Sequence, residues 1–154
     1  MRMPALILFS LGLLMPATAG ATNRCPWLTE GSAAAALGGS VSATAQVSES
    51  GEGFCTFSRE QGDSKVMLKI LVQRAVQPSC PTGSAKLKGI GNEAVMCTER
   101  PSPEESVEKI VSRVRELHFT VSITIHKQSP RSPEMSRPEG ALEQLAEQVA
   151  GNLF

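Results

Sequence analysis

Alternation of apolar and polar positions is cleanest between Lys65 and Ala75. Val66, Leu68, Ile70 and Val72 fall on one side, and Met67, Lys69, Leu71 and Gln73 on the other. A period of two predicts a strand, and the mixed second side predicts partial cover by a helix. Leu117 to Ile125 repeats the pattern, with Phe119, Val121, Ile123 and Ile125 on one face. Shorter strands are expected at Val41–Val47, Phe54–Arg59 and Ala94–Cys97. Ser48–Gly53 reads as a turn, and Gln61-Gly62-Asp63-Ser64 as a hairpin turn.

Two segments read as helices. Glu30 to Leu37 is Ala-rich, Thr29 stands at its start and Gly38-Gly39 at its end, so a short capped helix is expected. Leu142, Leu145, Ala146, Val149, Ala150 and Leu153 form the stripe of an amphipathic C-terminal helix. Ser106 to Arg115 fits both periods. Its β-branched residues and its short link to the next strand favour a strand, with Arg113 and Arg115 facing solvent. Arg100-Pro101-Ser102-Pro103 reads as a linker, Gln77–Gly83 as a Pro-rich loop, and Lys127–Pro138 as a Pro/Ser-rich loop. The fold class expected is α+β: an antiparallel β-sheet packed against a short N-terminal helix and a C-terminal amphipathic helix, in one domain spanning 22–154.

Residues 1–21 read differently. Arg2 precedes an apolar run from Ala5 to Met15, followed by small residues around Ala17-Thr18-Ala19 and Ala19-Gly20-Ala21. That is the layout of a secretory signal peptide. The run is shorter than the ~20 residues of a transmembrane helix. Arg24 beside Cys25 does not fit a lipobox, so no stable membrane anchor is expected. The reading is an exported chain, periplasmic or secreted, and monomeric.

Charge and composition narrow the partners. Without Arg2 the chain holds one more acidic than basic residue, since the whole sequence has 15 of each. Such a balance offers no long-range attraction to nucleic acid. One Trp, no Tyr and five Phe leave few stacking platforms for bases or sugars. An unknown protein or a small ligand remains as the partner.

The chain has four cysteines, Cys25, Cys55, Cys80 and Cys97. No two stand at the close spacing of zinc knuckles or of thioredoxin-type motifs. In an exported chain they read as two disulfides, with three possible connectivities. Cys25–Cys55 and Cys80–Cys97 are favoured, because each closes a loop of moderate length.

Catalytic, cofactor-binding and metal-binding residues: none are assigned, and no cofactor is expected. Gly89-x-Gly91-x-x-Ala94 matches the dinucleotide fingerprint in letters only. It precedes a strand and not a helix, so a tight glycine turn is expected. His118 and His126 would share one face of a strand, about 26 Å apart at ~3.3 Å per residue, too far to chelate one metal. Lys86, Lys88, Arg113 and Arg115 read as a solvated edge.

Cys25, Leu28-Thr29, the Ala-rich helix with Gly38-Gly39, Cys55 and the run Gly89-Ile90-Gly91-Asn92-Glu93-Ala94 together resemble small exported bacterial domains of unknown function. Many actinobacterial members of that group are lipoproteins. The resemblance implies an antiparallel sheet flanked by two helices, and no reaction. The functional expectation is an exported, non-enzymatic binding or interaction module. The alternative is a periplasmic protein inhibitor of a hydrolase, with loop 127–138 or loop 77–83 as its wedge.

Overall fold

The computed structural model describes residues 24–74, 79–80, 84–128 and 138–154. The expected signal peptide at 1–21 lies outside the described residues, as does most of loops 77–83 and 127–138. The described chain runs α1 (Glu30–Leu37), β1 (Ser42–Val47), β2 (Gly53–Gln61), β3 (Ser64–Gln73), β4 (Ala85–Leu87), β5 (Glu93–Ser102), β6 (Glu105–Val114), β7 (Leu117–Lys127) and α2 (Ala141–Leu153). The strands form one seven-stranded sheet in the order β1-β2-β3-β7-β6-β5-β4. Every neighbouring pair is antiparallel. The fold is therefore mostly β, with two helices.

Register and alternation assign each strand residue to a face. Leu68 stands opposite Phe57 and Ile123, and Ile70 opposite Cys55 and Val121. Ile110 stands opposite Val121 and Met96. These residues, with Met96 partly buried against them, join Phe119, Val72 and Val114 in the buried core, together with Leu142, Leu145 and Val149 of α2 and Ala33 and Leu37 of α1. Burying one such Leu, Ile or Phe side chain stabilises by ~1.5–3 kcal/mol. Helix α2 lies against β6 and β7, and α1 against α2, β2 and β3.

Local signals explain both helices. Thr29 Oγ1 accepts from the Ser32 N–H at 3.1 Å, and Gly38 ends α1 in the left-handed region at φ 76°. Arg59 Nη1 donates to the Leu37 carbonyl at 2.6 Å, so a residue read only as the end of a strand also closes the helix. Asn152 Nδ2 donates to the Trp27 carbonyl at 2.9 Å and ties α2 to the segment before α1.

Both cysteine pairs favoured by loop length are bonded, Cys25–Cys55 and Cys80–Cys97. They sit on opposite faces. Cys55 belongs to the core beneath the helices, whereas Cys97 is buried on the other side.

Three expectations are corrected. The side of β3 carrying Met67, Lys69 and Leu71 was expected under partial helical cover. Both helices pack on the Val66 side instead, because the apolar stripe of α2 has a continuous apolar partner only there. Arg100-Pro101-Ser102-Pro103 is not a linker: β5 runs to Ser102 and turns directly into β6. Pro101 is accommodated where the β5–β6 register shifts between Glu99 and Ser102, a site that needs no ladder hydrogen bond from it. No strand was expected at Lys86 and Leu87, which with Ala85 form the edge strand β4. The ambiguous segment 106–115 is strand, as β6.

Candidate functional site

The side of the sheet away from the helices is the candidate site. Its midline is β7, which presents His118, Thr120, Ser122, Thr124 and His126 in alternation. Cross-strand register sets a neighbour on each side. Thr124 stands between Met67 and Val107, and Thr120 between Leu71 and Val111. Ser122 stands between Lys69 and Lys109. Hydroxyls thus run down the centre, aliphatic side chains flank two of them, and a lysine flanks the third on each side.

Met67, Leu71, Val107 and Val95 are half-buried here, whereas Val111 is 5% and Thr124 8% exposed. Lys69 Nζ lies 5.4 Å from the Phe54 ring centroid, within cation–π range. Lys109 pairs with Glu99. Thr120 Oγ1 is buried without a hydrogen-bond partner. A buried hydroxyl left unpaired is unfavourable by ~1–3 kcal/mol, so this atom is the one unsatisfied demand on the face among the described side chains.

At one end the register makes a polar row of Glu93, Arg113, His118 and Gln73 across β5, β6, β7 and β3. Arg113 Nη2 donates to Glu93 Oε1 at 2.6 Å. That hydrogen bond, the Arg113 charge and, more weakly, His118 hold the Glu93 carboxyl below the ordinary carboxylate range. Glu93, Arg113 and His118 border a hollow of about 80 Å³ with Val95 and Val111. At the far end His126 Nε2 lies 3.9 Å from Glu105 Oε1. The two histidines therefore share a face and stand at opposite ends of it.

The Gly89–Glu93 run explains why the polar row is ordered. Gly91 sits at φ 61°, and a Cβ there would press on the Arg113 carbonyl and Ser112 Oγ. Its neighbours clasp the β6–β7 hairpin: Ser112 Oγ donates to the Ile90 carbonyl at 3.0 Å, and the Asn92 N–H to the Arg113 carbonyl at 2.7 Å. Asn92 Oδ1 accepts from the Arg115 N–H at 2.9 Å, which steadies the described non-glycine residue with positive φ, 54°. The motif that resembles a dinucleotide fingerprint is a clasp for a hairpin. Arg113, expected in solvent, is half-buried in that clasp and paired with Glu93. Arg115 stays exposed, near the Phe154 ring.

A larger concavity, about 380 Å³, lies on the helix side between the β5–β6 end and the start of α2. Met96, Ile125 and Leu142 line it with Arg100, Glu108 and Glu143. Among the described residues, no three His, Cys, Asp or Glu side chains gather closely enough to hold a metal ion. No described helix is long and apolar enough to cross a membrane. The polar row was beyond sequence reasoning because it joins four strands through long-range pairing. The chain matches no family model and no curated protein.

Proposed function

We propose that the chain is an exported, non-enzymatic binding or interaction module, and that its partner docks on the helix-free face of the sheet. The observation that carries this reading is the make-up of that face. Half-buried Met67, Leu71 and Val107 alternate with Thr120, Ser122, Thr124 and two lysines, over a surface that no described helix covers. Apolar side chains interleaved with hydroxyls suit a protein surface laid across the strands. On this face the hollow of about 80 Å³ falls well below the roughly 300–1,000 Å³ of small-molecule sites, and the concavity of about 380 Å³ lies on the opposite side of the sheet.

Two disulfides fit an oxidising, extracellular environment. Periplasm or the secreted fraction is the compartment proposed, in keeping with the resemblance to small exported bacterial domains. The test is capture from the exported protein fraction of the host, using the disulfide-intact chain as bait. A stoichiometric partner held by the wild type and lost by Met67→Lys/Leu71→Lys is the expected result. A partner held equally by both removes the helix-free face from the account. A captured hydrolase that loses activity on binding moves the chain to the inhibitor reading.

A further inference from the structure

The two edges of the sheet are finished differently. Edge strand β4 has three residues, and Lys86 in it and Lys88 just beyond it are both exposed. Short length and lysines are the usual guards against pairing with another chain. Edge strand β1 has six residues, Ser42-Ala43-Thr44-Ala45-Gln46-Val47, with no charge, no proline and an unbroken register to β2. The chain carries no ionisable residue from Gly31 to Ser48. Alternate residues of a strand direct N–H and C=O groups away from the inner neighbour. Among the described residues no strand pairs with that outer row.

The side chains of β1 repeat the message. Val41, Ala43 and Ala45 reach the helix-side core yet are half-exposed, and Val47, next along that stripe, is 38% exposed. Helix α1 packs over β2 and β3 and leaves this apolar strip as a shelf at the edge. Ser42, Thr44 and Gln46, on the opposite face, are exposed and uncharged.

We propose that β1 pairs antiparallel with β1 of a second copy of this chain. The occupant is argued from charge. An uncharged strand has nothing with which to select a charged peptide, whereas a two-fold axis sets the residue at its centre against its own equivalent, where a like charge would repel. With the axis through Thr44, Ala43 faces Ala45 of the second copy and Ser42 faces Gln46 of the second copy. The same register brings the β1–β2 turn of the second copy, which carries Glu49, toward Gly39 before the start of the strand. A Cβ at Gly39 would touch the Arg59 guanidinium, so an acidic residue arrives where a basic one already stands. The axis is perpendicular to the sheet, so both helix-free faces look the same way. This pairing departs from the monomer expected from sequence, which could not show which strand ends the sheet.

The experiment is sedimentation equilibrium of the disulfide-intact chain from roughly 1 µM to 1 mM, the range of a modest interface. A concentration-dependent dimer is expected. Thr44→Lys and Thr44→Glu should each raise the dissociation constant at least tenfold. An equimolar mixture of the two should restore dimer, which a merely damaged fold would not do. The double variants Ser42→Lys/Gln46→Lys and Ser42→Glu/Gln46→Glu, whose two positions face each other across the axis, repeat the test if a Thr44 variant lowers the unfolding midpoint. A wild type that stays monomeric to 1 mM overturns the proposal, as do variants that dimerise like the wild type, or a mixture that stays monomeric.

Discussion

The two faces of this sheet are made by the same strands, alternate residue by alternate residue, and they do different work. On the helix side, β3 places Val66, Leu68, Ile70 and Val72 under α1 and α2, each at most 4% exposed. On the other side, the same strand places Met67 and Leu71 half-buried and Lys65 and Lys69 exposed. The first face has its partner within the chain. The second keeps apolar side chains without any described helix above them, and carries its own disulfide, Cys80–Cys97. A face that is partly apolar, and that no described helix covers, is the face proposed for binding.

The largest test of that contrast is core truncation. Phe119→Ala should destabilise by ~3–5 kcal/mol and Leu68→Ala by ~2–5 kcal/mol in urea unfolding, because both are fully buried. Met67→Ala and Leu71→Ala, one position away, should each change stability by less than ~1 kcal/mol. Equal losses on both faces would erase the distinction.

The disulfides come next. They close loops of 30 and 17 residues. By loop entropy alone each contributes ~3–4 kcal/mol. Cys55 is fully buried beneath the helices, so replacing Cys25 and Cys55 by Ala should lower the unfolding free energy more than replacing Cys80 and Cys97. The reverse order would mean that the second staple holds more of the fold than its face suggests.

A smaller effect is expected at the clasp. Gly91→Ala forces a side chain into a left-handed backbone against the Arg113 carbonyl and should destabilise by ~1–3 kcal/mol. Nuclear magnetic resonance should show the Arg113 and His118 signals shifted with it.

The smallest effect is electrostatic. The Arg113 partner holds the Glu93 carboxyl below its ordinary value of 4.5. A depressed folded value means that the pair's contribution is complete above the ordinary value. It is lost as pH falls through the depressed one. In a carboxyl titration Arg113→Gln should move the Glu93 midpoint upward, with little change in stability, because Glu93 is exposed. An unmoved midpoint would mean that the row is not coupled in solution.

What the sequence made legible was local. The alternation of Lys65–Ala75 and Leu117–Ile125 and the stripe of Leu142–Leu153 each carry their own period, and each became β3, β7 or α2. Thr29 and Gly38-Gly39 marked the ends of α1 through capping chemistry that lies within a few residues. The rest depended on contacts far along the chain. Beyond Cys97, β5 is polar: the three-residue β4 does not reach it, no described strand pairs with its outer side there, and hydrophobic periodicity stops before the strand does. Strand β4 is too short to show a period at all. The Glu93–Arg113–His118–Gln73 row exists only once β3 is set beside β7, a pairing that no local pattern announces. The same pairing decides which side of Met67 and Leu71 the helices leave open.

The most direct measurement is the affinity of the captured partner for the wild type and for Met67→Lys/Leu71→Lys, taken with both disulfides intact. If the helix-free face is the working surface, the variant should bind at least tenfold more weakly, ~1.4 kcal/mol, while its unfolding midpoint stays that of the wild type. An unchanged affinity in a folded variant would contradict the account and place the working surface elsewhere on the molecule.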